Sequence, residues 1–316
     1  MAQISVTPTP GGSEAEIADW APASRTARIS RALKNAVWEL GKNRSATVGA
    51  VMVSILLFVA ILAPVIATHD PARQNYREML QGPSAAHYFG TDKFGRDIWS
   101  RTVWASQRML TIAVLAVIVG IIGGIPLGTI SGYYGGKLDM ILMRVVDAWL
   151  AFPGILFYLL AATLIRAYEL SLFWNTVGLI IALGVGNIPN LARLVRGSVL
   201  AEREKDYVEA SHATGESHLY IAFLQILPNC LSPVIVQSTI TLGFELLTIA
   251  ALSFLGLGAP PPTPDWGADL NLARQHMETR PYLAIFPGLA ISFAVLAFNL
   301  VGDGLRDILD PRTADR

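Results

Sequence analysis

The groups in this 316-residue chain that could do chemistry are few: five histidines, one cysteine, and acidic residues set among apolar ones. His69, His87, His212, His218 and His276 show no HExxH or similar ligand spacing, so they read as surface or loop groups. Cys230 has no second cysteine, which excludes an internal disulfide and a thiolate metal site. Gly41-Lys42 and Gly136-Lys137 lack the remaining residues of a Gly-x-x-x-x-Gly-Lys-Ser/Thr phosphate loop, so ATP is expected to bind elsewhere. No nucleophile with a base, and no metal cluster, falls inside an apolar stretch, which argues against an intramembrane enzyme. Asp147 and Glu245 fall at or near membrane depth. Ionisable groups there are either functional or structurally paired, with Arg144 or a neighbouring subunit as possible partners.

The surrounding chain defines what must position these residues. It is 53% hydrophobic and 15% charged, against about 25% charged in soluble domains. Mean hydropathy is +0.46. Apolar residues fall in long blocks with the charges between them, the pattern of a multi-spanning membrane protein. A bilayer core of about 30 Å needs roughly 20 apolar residues in helix, each satisfying its own backbone. Six blocks qualify: 48–67, 109–130, 140–165, the block between Glu169 and Arg193, 231–258, and the block between Arg280 and Asp303. The implied division is a tail at 1–45, a first span at 46–67, an outer segment at 68–108, a five-helix domain at 109–303 and a tail at 304–316. No short apolar core follows Met1, so a cleaved signal peptide is not expected. Formal net charge is zero and gives no reason to expect nucleic acid. Small and breaking residues recur: Gly120, Gly123, Gly124, Gly128, Pro189, and Phe152-Pro153-Gly154 echoed as Phe286-Pro287-Gly288. They suit either tight packing or a bundle that opens and closes.

Orientation follows the basic flanks. With both termini cytoplasmic, the inner side holds Arg25, Arg28, Arg31, Lys34, Lys42, Arg44, Lys137, Arg144, Arg193, Arg196, Arg203, Lys205, Arg306, Arg312 and Arg316. The outer segment weakens this bias, although Asp70, Glu78, Asp92 and Asp97 accompany its bases. Proline-dense 260–264 cannot be helical, and a short interfacial helix is expected over 266–277. The inner loop, 197–229, is too long for a turn. Its first part is rich in helix formers and ends at Gly215, as a left-handed helix terminus would; a second helical stretch should stop before Pro228. Two short helices at an angle fit two roles: an amphipathic connector on the membrane surface, or an element seated in a groove of another protein.

Glu209-Ala210-Ser211, Gly215 and Leu227-Pro228 resemble the EAA motif of the membrane subunits of bacterial ABC importers: Glu-Ala-Ala, three residues, Gly, nine residues, Ile, one residue, Leu-Pro. Ser211 stands for the second Ala and Gln225 for the Ile. Phe89-Gly90-Thr91-Asp92 with Gly95-Arg96-Asp97, the run from Gly132 to Asp147, Pro261 to Gly267 and Asn299 to Asp307 resemble the dipeptide, oligopeptide and nickel branch of that family, most of all its C-type permease. The resemblance covers about residues 35–313.

It implies an all-α type I permease fold of six spans with a cytoplasmic coupling helix, in the bacterial inner membrane. The ATPase-coupling residues would be Tyr207, Glu209, Ala210, Ser211, Gly215, Leu227 and Pro228. Expected partners are a second homologous permease, two ATPase subunits carrying ATP and Mg, an extracytoplasmic solute-binding protein, and membrane lipid. The chain itself would hold no cofactor. Its cargo would be a peptide-like solute, with nickel, glutathione or another small solute as alternatives. An ion-coupled transporter acting alone is the competing reading; it predicts inverted repeats and midplane charges, and the sequence offers no convincing repeat and few such charges.

Overall fold

The computed structural model describes residues 43–309, which are helical apart from turns, loops and one isolated bridge between Thr91 and Asp97. The basic residues at 25–42 and 312–316, most of the expected N-terminal tail and the end of the C-terminal one lie outside the described residues. Helix α1 (Arg44–Ile61) starts where the Asn43 side chain accepts from the Ser45 and Ala46 amides, and the chain turns at Leu62 into a short α2 (Ala63–Ile66). Next comes α3 (Ile98–Tyr134), then α4 (Gly136–Leu150) and α5 (Gly154–Ala167), then α6 (Leu172–Glu202). The inner loop holds α7 (Asp206–Ala213), α8 (His218–Tyr220), a π-turn at Ile221–Ile226 and α9 (Leu227–Asn229). The chain closes with α10 (Leu231–Phe254), α11 (Trp266–Ala273) and α12 (Tyr282–Leu309).

Five of these, α1, α3, α6, α10 and α12, are long and apolar enough to cross a membrane. Helices α4 and α5, bent by 77° to one another, meet the same criterion as a pair and bring the number to six when counted as one broken span. The bend falls at Pro153, which lacks an amide hydrogen and disfavours helix in the residue before it. The apolar side chains that remain exposed, such as Val48, Val51, Ile55 and Phe58 on α1, are what a lipid-facing surface requires.

Helix α3 begins at Ile98, well before the apolar block that signals it. Asp97 caps it, accepting from the Ser100 amide at 2.8 Å. With 37 residues it is roughly 55 Å long and overruns a bilayer core of about 30 Å. The overrun at its start carries Arg101, which is tolerated because it lies in a folded cap and not in lipid. That cap joins the 68–97 segment to α11. Arg101 is 2% exposed and meets Asp269 at 2.6 Å and the carbonyls of Pro71 and Pro262 at 3.0 Å each. Arg96, 1% exposed, meets Asp92 at 2.6 Å. Trp266 is buried and donates to the Thr102 carbonyl at 2.8 Å.

The most extensive helix–helix packing in the chain is between α3 and α6. Gly124, Gly128 and Gly132, one turn apart, lie against Leu191, Ala192, Val195 and Val199. A Cβ at Gly128 would come within 2.5 Å of the Ala192 carbonyl, so only glycine permits this backbone approach.

Candidate functional site

The inner loop is built outward from the ends of α3 and α6. At the end of α6, Arg203 donates to the Gly132 carbonyl at 2.8 Å and so clips the loop to the end of α3. Val208 of α7, then Ile221, Ala222, Ile226 and Cys230, are buried in one apolar cluster with Tyr133, Leu191, Val195 and Val199. Both arms of the loop are therefore fixed to the same two long helices. Burial and nearby Glu202 push the Cys230 thiol up to about 11, so it remains protonated and serves as packing.

Gly215 turns the chain between the arms with φ of +79°, and a side chain there would meet open space. The requirement for glycine is conformational, as the sequence predicts. Beyond it the expected stop before Pro228 does not occur. The helix continues through Leu227–Asn229 because the π-turn shifts the bonding register: the Leu227 amide donates to the Ala222 carbonyl. Proline in the first turn of the segment that follows leaves no required donor missing.

The expected coupling residues divide into two groups. Glu209, Ala210 and Gly215 are exposed on the tip, beside Leu219 at 62% exposure and Leu224 at 64%. Tyr207, Ser211 and Leu227 are half-buried at the root, and Pro228 lies on the far arm. Tyr207 donates to Glu202 at 3.0 Å and accepts from Asn229 at 3.2 Å, tying the two arms together. Ser211 donates to Gln225 at 2.7 Å. The two residues that depart from the motif are thus partners of one another, and Gln225 also donates to Glu216.

Sequence reasoning did not single out a second cluster beside this element. Tyr133 lies 2.8 Å from His218 Nδ1 and 3.5 Å from His212 Nε2. His87 lies in a loop, as expected, but is buried there: it is 5% exposed and lies against Asp97. Asp147 pairs with Arg193 at 2.5 Å, not with Arg144. Glu245 is 3% exposed and accepts from Asn187 within the chain.

Asn187 also lines a cavity of about 480 Å³ between α3, α6 and α10. Asn190, Arg193, Gln237, Ser238 and Thr241 share its wall with apolar Val117, Leu194 and Phe244. Neutral amides and hydroxyls at membrane depth face a cavity when they do not face protein. Such a wall can exchange hydrogen bonds with a polar solute while adding only one basic group at its edge.

Comparison with known proteins agrees with this architecture. Residues 124–315 match the model of a family described as binding-protein-dependent transport system inner membrane component. Residues 32–83 match that of the N-terminal TM domain of oligopeptide transport permease C. The chain is 43% identical over 279 residues to the dipeptide transport system permease protein DppC of Alkalihalophilus pseudofirmus, covering 88% of this chain and 90% of that one. It is 40% identical over 268 residues to the glutathione transport system permease protein GsiD of Pectobacterium atrosepticum, covering 84% and 87%. In structure it resembles a chain of the MetNI methionine ABC transporter in an inward-facing conformation, with TM-score 0.52 and 20% identity over 66% of this chain and 95% of that chain.

Proposed function

Because the chain belongs to the family of binding-protein-dependent transport system inner membrane components, we propose that it forms, with a second related permease, the path of an ATP-driven importer for peptide-like solutes. Two ATPase subunits bind beneath it and hold the ATP and Mg, which this chain does not bind itself. A solute-binding protein delivers cargo from outside. Both termini lie in the cytoplasm, a reading supported by the basic residues flanking the spans. The inner loop at 197–229 is then cytoplasmic, and its tip seats in an ATPase groove. The domain bounds expected from the apolar blocks, with 109–303 as the transmembrane domain, belong to the same proposal.

The observation that carries this reading is the inner loop: an exposed tip with a left-handed glycine turn, rooted in a buried core shared with α3 and α6. Closure of the ATPase pair on nucleotide displaces the tip, and the root passes that displacement to α3 and α6, two of the three helices lining the cavity. The energy is the difference in stability between inward- and outward-facing states with and without nucleotide. Relatives named for dipeptide and for glutathione transport are similarly close in identity, and both cargoes carry the amide groups that the Asn, Gln, Ser and Thr wall suits.

The test is Gly215→Val in the assembled transporter, reconstituted in liposomes with its binding protein. A β-branched residue at positive φ costs more than the roughly 1–2 kcal/mol of an ordinary left-handed residue. ATP hydrolysis should persist while uptake falls at least about tenfold, with insertion intact. Wild-type uptake by that variant would refute the coupling role.

A further inference from the structure

Among the described residues, one group of three side chains has the geometry of a metal site: His69, His87 and Asp97. Residues 69 and 97 are distant in sequence and belong to different elements, the exit from α2 and the cap of α3. Asp97 uses one carboxylate oxygen for capping: its Oδ2 accepts from the Ser100 amide at 2.8 Å and hydroxyl at 2.6 Å. Its other oxygen, Oδ1, serves no backbone group. His87 Nδ1 lies 2.9 Å from it and His69 Nδ1 lies 3.9 Å from it. The two imidazole rings are 4.7 Å apart, centre to centre.

Three features go beyond what a capping aspartate needs. First, the ligand atoms all lie within 4.8 Å of one another. Zinc bonds of 2.0–2.1 Å in a tetrahedron put neighbouring ligand atoms about 3.3 Å apart, a value that the two measured spacings bracket. Second, the far nitrogen of His87, Nε2, lies 3.5 Å from Glu78 Oε2, and Glu78 is held by the Asn75 amide at 2.6 Å. Without metal, His87 Nδ1 donates to Asp97 Oδ1 at 2.9 Å; a bound ion would replace that proton, and Glu78 behind Nε2 would then hold the other one. Third, His87 and Asp97 are buried while His69 is exposed, so one side of the site is open to solvent and to an entering ion. The Thr68 hydroxyl, 3.0 Å from His69 Nδ1, can rotate aside.

We propose that His69, His87 and Asp97 bind a divalent transition metal, with zinc as the probe, and that the ion staples the exit of the first span to the start of α3. Two imidazoles and a carboxylate suit zinc; calcium and magnesium require oxygen ligands. A fourth position is left for water.

The test uses the full chain purified in detergent, stripped with chelator and titrated with zinc chloride, with bound metal measured by elemental analysis and stability by thermal unfolding. One zinc per chain is expected, with a rise in unfolding temperature that tracks occupancy. His69→Ala is the key variant, since His69 is exposed and its loss should spare the fold. It should weaken binding at least as much as loss of an outer-shell partner, roughly 10–100-fold. His69→Cys should keep the metal and, with cobalt in place of zinc, add a thiolate-to-metal absorption band. The double variant His212→Ala/His218→Ala should bind as wild type. Absence of stoichiometric zinc, undiminished binding in His69→Ala, or loss of binding in the His212/His218 variant would each overturn the assignment.

Discussion

The two ends of α3 are held in opposite ways. At its start, Arg96 and Arg101 are buried and neutralised by Asp92 and Asp269, and buried Trp266 donates to the Thr102 carbonyl. At its finish, the inner loop is rooted by apolar side chains and by half-buried hydrogen bonds from Arg203, Tyr207 and Ser211, with no buried ion pair among the described residues of that apolar cluster, while its tip is left bare. The first end is complete within the chain. The second leaves its tip exposed, which the proposed ATPase contact would cover. Buried charge fixes one geometry, because any departure leaves an ion uncompensated. An apolar root with an exposed tip instead lets the segment move as a unit while its contacts persist.

The largest effect should come from breaking the charged end. Arg101→Met leaves Asp269 without its cation and strands three carbonyls, at a cost of about 3–5 kcal/mol. Loss of monodisperse protein in detergent, or a steep drop in unfolding temperature, would show it. A stable Arg101→Met protein would mean that the cap is not the fixed end. Gly215→Val comes next and should separate the ends by phenotype: uptake falls while ATP hydrolysis and insertion persist, at a local strain cost above roughly 1–2 kcal/mol and below that of Arg101→Met.

A smaller effect is expected at the root. Ser211→Ala should cost about 0.5–1.5 kcal/mol through the lost bond to Gln225. Ser211→Ala with Gln225→Ile should recover most of that in a double-mutant cycle. Additive losses would mean that the two positions are independent. The smallest effect belongs to Arg193 and Asp147, whose side chains are 55% and 57% exposed; breaking that pair should change stability by under about 0.5 kcal/mol.

Much of the fold was legible because membrane helices announce themselves by apolar length alone. The turn at Gly215 and the start of α10 at Leu231 follow from glycine chemistry and from the end of a polar stretch. The early start of α3 was not legible, since Asp97 and Arg101 read as charges outside a span until Asp269, far along the chain, supplies the partner. The same limit hid the pairing of His87 with Asp97 and that of Ser211 with Gln225. Local sequence is also ambiguous at Phe-Pro-Gly. At 152–154 the helix breaks, whereas at 286–288 it runs on, with Phe286 stacked 3.8 Å from Phe89. Neighbouring residues decide which outcome holds.

The glycine register between α3 and α6 also limits how this bundle can deform. A slide of α3 along α6 by less than one helical pitch, about 5.4 Å, would drive Leu191 or Val195 off a glycine and onto a bulkier neighbour. The two helices therefore form one stiff beam running from the charged cap to the root of the loop. Bending must be taken up elsewhere, at the 77° elbow between α4 and α5. A spin-label pair across α3 and α6 should keep its distance through the transport cycle, and a pair across that elbow should not.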